Sequence, residues 1–386
     1  MILLTAGCGK QDGTESPKGE GRGKGSDGQQ AAVGMYVETE TDLPVQMDDI
    51  AGIYKIPEGK LVVIDRQGEL LVSEDNGVTW EISSRQWMKE RAASSYIMDI
   101  KMDSKGVLGI IYAENGEEGL DMQEPATPSV LKCVLLLPDE TVIPVRFSKP
   151  EDARCIDRFW ISDTDRYFVS TVEGDIYEVK EDGSSEWYLS TQGSSQIIQF
   201  QGNLMMIDGY DFKGPLLYDM EKEEYVEDGI LTDFVHENYE NRGFNGNGWH
   251  SLYLIPGEED VVYLAGKEGM YRHVIGGAVM EQMIDGRLSR LGNPQYGIVG
   301  MVFLETGDFL AVSKDGKLIR FTYDPDKEAV LQEVLKIYSL EKNSDIYAAV
   351  SFYQIQNPNV FVEYEVGLEE EGAVTKEDAI KKLHKS

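Results

Sequence analysis

Leu310-Ala-Val-Ser-Lys-Asp-Gly-Lys-Leu-Ile-Arg-Phe321 is the stretch that decides the fold. Two runs of strand length flank an Asp-Gly pair, the chemistry of a tight β-hairpin turn. Glu305-Thr-Gly-Asp308, just upstream, supplies another turn, so Gly297 to Tyr323 reads as successive short strands. The same grammar appears far away. Ile50-Ala-Gly-Ile-Tyr-Lys-Ile-Pro-Glu-Gly-Lys-Leu-Val-Val-Ile-Asp65 is a strand, a turn and a strand. Gln67-Gly-Glu-Leu-Leu-Val-Ser73 and Thr79-Trp-Glu-Ile82 add a third and a fourth.

Further copies run over Tyr96 to Phe147, Cys155 to Leu189, Gln196 to Glu227 and Trp249 to Met283. Within the third, Thr171-Val-Glu-Gly-Asp-Ile-Tyr-Glu-Val179 is a hairpin. Four-strand units recurring every ~40 to 60 residues are the blades of a β-propeller, where each blade buries its faces only against its neighbours. The fold class expected is therefore all-β, a six- or seven-bladed β-propeller with a short truncated α/β segment at the C-terminus. Gly34-Met-Tyr-Val-Glu-Thr-Glu40 is placed to complete the last blade and close the ring. An open sandwich is the competing fold.

Composition narrows the functions. The chain has 386 residues, with 69 acidic against 36 basic side chains and a net charge of −33. A phosphate-binding protein needs a basic face, so nucleic acid is excluded as a partner. The same charge opposes docking to anionic lipid. No run of about 18 apolar residues occurs, so no helix spans a membrane. Three cysteines, Cys8, Cys133 and Cys155, make no disulfide framework; the last two read as buried thiols on neighbouring strands, with a bridge between them as the alternative. His236, His250, His273 and His384 lack metal-ligand spacing, and Gly243 to Gly248 has neither the helix nor the lysine of a phosphate loop. Asp208-Gly-Tyr-Asp211 and the loop expected over Asp233 to Asn247 hold oxygen ligands enough for calcium, although acidic loops are commonly just solvated. No cofactor motif is present.

Ser73-Glu-Asp75-Asn-Gly77-Val-Thr79-Trp80 resembles the Asp-box (BNR) motif, Ser/Thr-x-Asp-x-Gly-x-Thr-Trp. Asp75 can accept backbone N–H groups within the turn, Gly77 supplies positive φ, and Trp80 can fold back onto the blade. A degraded copy is Glu181-Asp-Gly-Ser-Ser-Glu-Trp187. In proteins with this motif the turn is a structural element away from the central pocket. Tyr54-Lys55-Ile56-Pro57 also resembles the Arg-Ile-Pro element of sialidases, but a lysine cannot make the planar two-point contact with a carboxylate that such chemistry uses. No arginine triad assembles from the sequence, so a glycan-processing enzyme is the runner-up.

The two ends differ from the body. Met1-Ile-Leu-Leu-Thr-Ala-Gly-Cys8 resembles the lipobox of bacterial lipoproteins, whose cysteine carries the lipid. Residues 1–8 read as the end of a truncated lipoprotein signal peptide, and 9–33 as a flexible, charge-balanced tether. Residues 34–333 are the propeller. Over 334–386 the pattern becomes strand, helix capped at Asn343-Ser-Asp345, strand at Phe361 to Gly367, and a capping box Thr375-Lys-Glu-Asp378. This segment resembles the opening of bacterial extracellular solute-binding proteins of ABC importers, particularly sugar-type ones, and is expected to be the incomplete start of such a lobe.

These readings lead to an extracytoplasmic lipoprotein, anchored through Cys8 at the cell membrane and accessory to solute capture without catalysis. The resemblances imply a small-molecule solute of carbohydrate type and an ABC permease as partners of the intact parent, with membrane contact only through the lipid. A glycan-binding propeller needs exposed tryptophans, for which Trp160 and Trp249 are the candidates. A surface protein–protein adaptor would instead need an exposed apolar patch.

Overall fold

The computed structural model describes residues 33–56, 59–114, 130–148, 156–191, 197–208, 215–239, 252–258, 260–286, 289–292, 297–328, 333–341, 343–357 and 360–368. Its first strand, β1 (Val33–Asp42), joins the last blade, as set out below. Blade 1 follows as β2 (Ile50–Ile56), β3 (Lys60–Asp65), β4 (Glu69–Ser73) and β5 (Glu81–Ser84). Blade 2 is β6 (Ser95–Met102), β7 (Leu108–Glu114), β8 (Val130–Leu136) and β9 (Val142–Pro144). Blade 3 is β10 (Ile156–Ile161), β11 (Tyr167–Thr171), β12 (Asp175–Val179) and β13 (Ser185–Ser190). Blade 4 is β14 (Ile197–Gln201), β15 (Leu204–Asp208), β16 (Leu216–Asp219) and β17 (Glu224–Val226). Blade 5 is β18 (Tyr253–Pro256), β19 (Val261–Gly266), β20 (Gly269–Val274) and β21 (Met280–Asp285). Blade 6 takes β22 (Ile298–Phe303), β23 (Phe309–Ser313) and β24 (Lys317–Glu328) from late in the chain, and β1 is its outer strand.

The propeller thus has six blades, and the early strand closes it, pairing antiparallel from Asp42↔Lys317 to Val33↔Glu328. The core has the same period. Six buried apolar clusters lie one at each junction between consecutive blades, the last of them, around Leu61, Val63, Leu310 and Val312, between blades 6 and 1. Second strands are enclosed on both faces, so Tyr167–Thr171 and Phe309–Ser313 are buried along their whole length. That is why they read as unbroken apolar runs rather than alternating ones.

A recurring five-residue turn sets the strand spacing. Asp65, Asp103, Ser162, Thr171 and Ser313 each stand first in a turn and accept, through a side-chain oxygen, the N–H of the residue four places on, at 2.7–3.1 Å. The fourth position needs positive φ, supplied by Gly316 at 80° in the hairpin quoted above. Asp165 fills it at 59° in the Ser162 turn, within the tolerance of a short polar side chain.

Strands alone do not complete the body. α1 (Gln86–Ala92) seats Met88 fully buried between blades 1 and 2. α2 (Gly229–Tyr239) places Leu231, Val235 and Tyr239, four residues apart, between blades 4 and 5. The expectation of a solvated loop from Asp233 is therefore corrected up to Tyr239: these acidic residues ride on a helix whose other face is core. The rest of that loop and Asp211 lie outside the described residues. Cys133 is buried between blades 2 and 3, while Cys155 lies outside the described residues.

Beyond the propeller, β25 (Glu333–Glu341), α3 (Ser344–Gln356) and β26 (Val360–Leu368) form a β-α-β unit with the two strands parallel. Asn343 caps α3, its Oδ1 accepting the N–H groups of Asp345 and Ile346 at 2.9 and 3.1 Å. Thr375 and the residues around it lie outside the described residues.

Candidate functional site

Six inner strands around an axis leave a channel, and here it is a cavity of about 810 Å³ lined by all six. Its shape starts with a repeated irregularity. In blades 1, 2, 3 and 6 the inner strand bulges at the same place, between Ile50 and Gly52, Ile97 and Asp99, Ile156 and Arg158, and Ile298 and Gly300. A bulge re-aims the side chains after it. Two residues on stand Tyr54, Lys101, Trp160 and Val302, all on the channel wall. Gln199 and Leu254 contribute from blades 4 and 5.

Hydrogen bonds stitch this wall from blade to blade. Tyr54 donates its hydroxyl to the Ile100 carbonyl at 2.9 Å, from blade 1 to blade 2. Phe159 N–H donates to the Asp99 carboxylate at 2.9 Å, and Ser104 donates from both N–H and Oγ to Asp165. Gly202 N–H donates to Asp163, the Gln199 amide to the Leu252 carbonyl, and the Tyr253 hydroxyl to the Ile298 carbonyl. At the closing junction, backbone contact does this work. A Cβ on Gly300 would lie 3.0 Å from Ile53 N, so glycine there lets blade 6 approach blade 1. The polar handles of the channel aromatics are thereby tied into the wall, and their ring faces stay fixed.

Trp160 is held most firmly. Its indole N–H donates to Ser170 Oγ at 3.0 Å, and the Lys101 ammonium sits 5.5 Å over its ring. Lys101 is in turn 2.8 Å from Asp99, a buried carboxylate. Burial, ahead of the nearby Asp99 charge, pushes the Tyr54 phenol upward, so it stays protonated as a donor. Lys55, near the end of β2, and Glu305, in the β22–β23 turn, approach to 3.8 Å.

The residues singled out by sequence fall in different places. Trp160 lines the channel; Trp249 and Cys8 lie outside the described residues. Ser73, Asp75, Gly77, Thr79 and Trp80 hold the turn between β4 and β5, and none of them lines the cavity. There Asp75 accepts the N–H groups of Val78 and Thr79, and both the Ser73 and the Thr79 hydroxyls donate to it. These bonds, the Thr79 ones first, hold its carboxyl down at about 2. Gly77 has φ 82°, and Trp80 packs against the cluster between blades 6 and 1. Trp187, in the degraded copy, does not fold back: it is 57% exposed and donates its indole N–H to Asp175. Tyr54, Lys101 and Gln199 were not anticipated. For Tyr54 and Lys101 the signal that could have found them is the isoleucine four residues before each, Ile50 and Ile97, where the bulge begins; Gln199, on an inner strand without a bulge, has no such mark.

One buried pair stands apart from the channel. His273 is fully buried, with Nδ1 2.9 Å from the Val279 carbonyl and Nε2 2.8 Å from Asp228. Asp228 also accepts the N–H groups of Leu231, in the first turn of α2, and of Gly276. Burial alone would raise the Asp228 carboxyl; these donors and the His273 ring outweigh it, and the net direction is down. Among the described residues no group of three His, Cys, Asp or Glu side chains is placed to hold a metal ion.

No protein-family model and no curated protein matches this chain. Solved structures do. Virginiamycin B lyase from Staphylococcus aureus is 10% identical over 74% of this chain and 99% of its own, with a TM-score of 0.45. A streptogramin B lyase is 12% identical over 77% and 100%, at 0.47. YCF48 bound to a D1 peptide is 12% identical over 76% and 99%, at 0.44. These names span different activities, and at such identities no residue role passes from them to this chain.

Proposed function

We propose that this protein is a lipid-anchored, extracytoplasmic propeller that binds a small solute of carbohydrate type in its central channel, without catalysis, as an accessory to ABC-type uptake. The observation that carries the reading is the channel itself: all six inner strands line it, and Trp160, Tyr54 and Tyr253 are fixed there by hydrogen bonds to the wall. Rigid aromatic faces beside a few hydrogen-bonding groups suit a ring with one apolar face and a hydroxyl-bearing edge. Among the described residues lining the cavity there is no arginine, which weighs against a sialidase-type carboxylate grip. On this reading the Ser73–Trp80 turn is an Asp box with a structural role, and the parallel β25-α3-β26 unit opens a solute-binding lobe.

Calorimetric titration with cellobiose and N,N'-diacetylchitobiose tests the channel. Trp160 packs on the blade 3–4 core, so W160A is expected to melt lower; binding that it weakens while circular dichroism shows the variant folded at the titration temperature supports the reading, and binding indifferent to W160A refutes it. The anchor is tested separately, by mass spectrometry of the protein from its own cells. A diacylglyceryl thioether on Cys8 is expected, and an unmodified Cys8 thiol overturns the anchor.

A further inference from the structure

An asparagine followed by glycine readily loses its side-chain amide, because glycine puts no Cβ in the way of its own backbone nitrogen. Four such pairs occur, at residues 76–77, 115–116, 245–246 and 247–248, and only the first falls among the described residues. Asn76–Gly77 is the tip of the β4–β5 turn, and it belongs to the seam that closes the ring. Arg320 of β24 donates its guanidinium to the Asn76 carbonyl, and a Cβ on Gly77 would stand 2.7 Å from Leu310 Cδ2 of β23.

The reaction is intramolecular. Gly77 N bonds to Asn76 Cγ, the Cγ–Nδ2 bond breaks, and ammonia leaves with the proton that Gly77 N carried. Water then opens the resulting succinimide at either carbonyl, leaving aspartate or isoaspartate at position 76. Two things are required: the Gly77 nitrogen must give up its proton, and it must face the Asn76 side chain.

The turn withholds both. Gly77 N–H donates to Ser73 Oγ at 2.8 Å. The Ser73 hydroxyl commits its own proton to Asp75 Oδ1 at 2.8 Å, which leaves Oγ an oriented acceptor, and Ser73 is buried. Asn76 has φ 58°. In that left-handed region ψ is about +30 to +60°, which sets the following nitrogen opposite the side chain.

We infer that Asn76–Gly77 is a site of spontaneous deamidation at the ring-closing seam, held shut by the Ser73 hydroxyl. An isoaspartate there adds one carbon to the backbone of the turn. Asp75 then cannot keep the Val78 and Thr79 N–H groups, nor Arg320 the carbonyl of residue 76, in their present places.

The test is ageing of the full chain in mildly alkaline buffer, folded and in urea, with peptide mass spectrometry to separate position 76 from the other three pairs. Folded wild type should convert at Asn76 at least about tenfold more slowly than the chain in urea, the factor for one withheld hydrogen bond. Ser73→Ala, shown folded by circular dichroism, should convert about tenfold faster than wild type. Ser73→Thr, which keeps the hydroxyl, should return the rate to that of wild type. Converted S73A, separated by its added charge, should melt below unconverted S73A. Folded wild type converting at the urea rate overturns the inference without recourse to any variant. An S73A rate equal to wild type overturns the part given to Ser73, and equal melting of the converted and unconverted chains overturns the part given to the seam.

Discussion

Replacing Asp228 probes how the ring holds α2 against blade 5. The carboxylate accepts three donors, Leu231 N–H at 2.9 Å, Gly276 N–H at 2.8 Å and His273 Nε2 at 2.8 Å, with almost no contact with water. Asp228→Ala removes a helix cap, worth about 1 kcal/mol, and leaves two buried donors without acceptors at about 1–3 kcal/mol each. Because the original carboxylate was itself expensive to bury, about 4 kcal/mol is the expected net loss, toward the lower end of the sum of these contributions. Unfolding entropy of about 2.1 cal/mol/K per residue over this chain makes that a fall of about 5 °C in Tm. Asp228→Asn keeps an acceptor for Leu231 but turns an amide toward the other two donors, so it too should destabilise. The acid limb supplies the second readout. The folded carboxyl lies below its ordinary value, so its contribution is complete above the unfolded pKa near 4 and is lost as pH falls through the lower folded value. Scanning calorimetry from pH 7 to pH 3 should therefore show the gap between wild type and D228N closing on acidification. In a cycle with His273→Ala, the two losses should be non-additive. A D228N gap under about 1 °C at pH 7, or one that does not narrow in acid, would refute the assignment.

Three further outcomes follow from local geometry. Asp75→Ala should lower Tm by only about 1–2 °C, because the turn is exposed; with its carboxyl held down at about 2, that contribution persists below pH 4 and disappears toward pH 2, which melting against pH will show. Gly109→Ala should cost about 1–3 kcal/mol by overpacking, since its Cβ would stand 2.1 Å from Phe159 Cε1 in the blade 2–3 core; urea unfolding measures this, and Phe159→Leu on that background should recover part of it. Cys133 should resist iodoacetamide in the native protein and react only in denaturant, because burial, with Asp99 adding to it, pushes the thiol up; peptide mass spectrometry reads the result at that residue.

Much of this architecture is written in short-range chemistry. The hairpin Leu310–Phe321 reads directly, because its turn depends on residues within five positions of one another: Ser313 accepting from Lys317, and Gly316 at positive φ. The count of blades needs one long-range fact, the pairing of β1 with β24, and the sequence marked Gly34 to Glu40 only by its place ahead of the first blade, as a strand that could complete the last one. The two helices escaped notice because each is short and shows its core stripe through few residues, Met88 alone in α1 and Leu231, Val235 and Tyr239 in α2. An acidic surface hid the second stripe among residues that also read as a solvated loop.

The channel was legible only in part, for a physical reason. A residue's place on the wall is fixed by its offset from a bulge, and a bulge adds one residue without changing composition. Trp160 drew attention as a tryptophan, whereas Lys101 and Tyr54, at the same register in the neighbouring blades, looked like ordinary strand residues. What makes them a site is contact between blades: Tyr54 with the Ile100 carbonyl, Lys101 over Trp160, Asp99 gripping both Lys101 and the backbone of Phe159. Apart from Asp99 and Lys101, which share a strand, each partner lies roughly one blade away in sequence. The same spacing that makes the repeat visible therefore divides the binding chemistry among its copies. Within one blade the wall is a short stretch of one strand and its turn, and it becomes a surface with shape and charge only when the ring is closed.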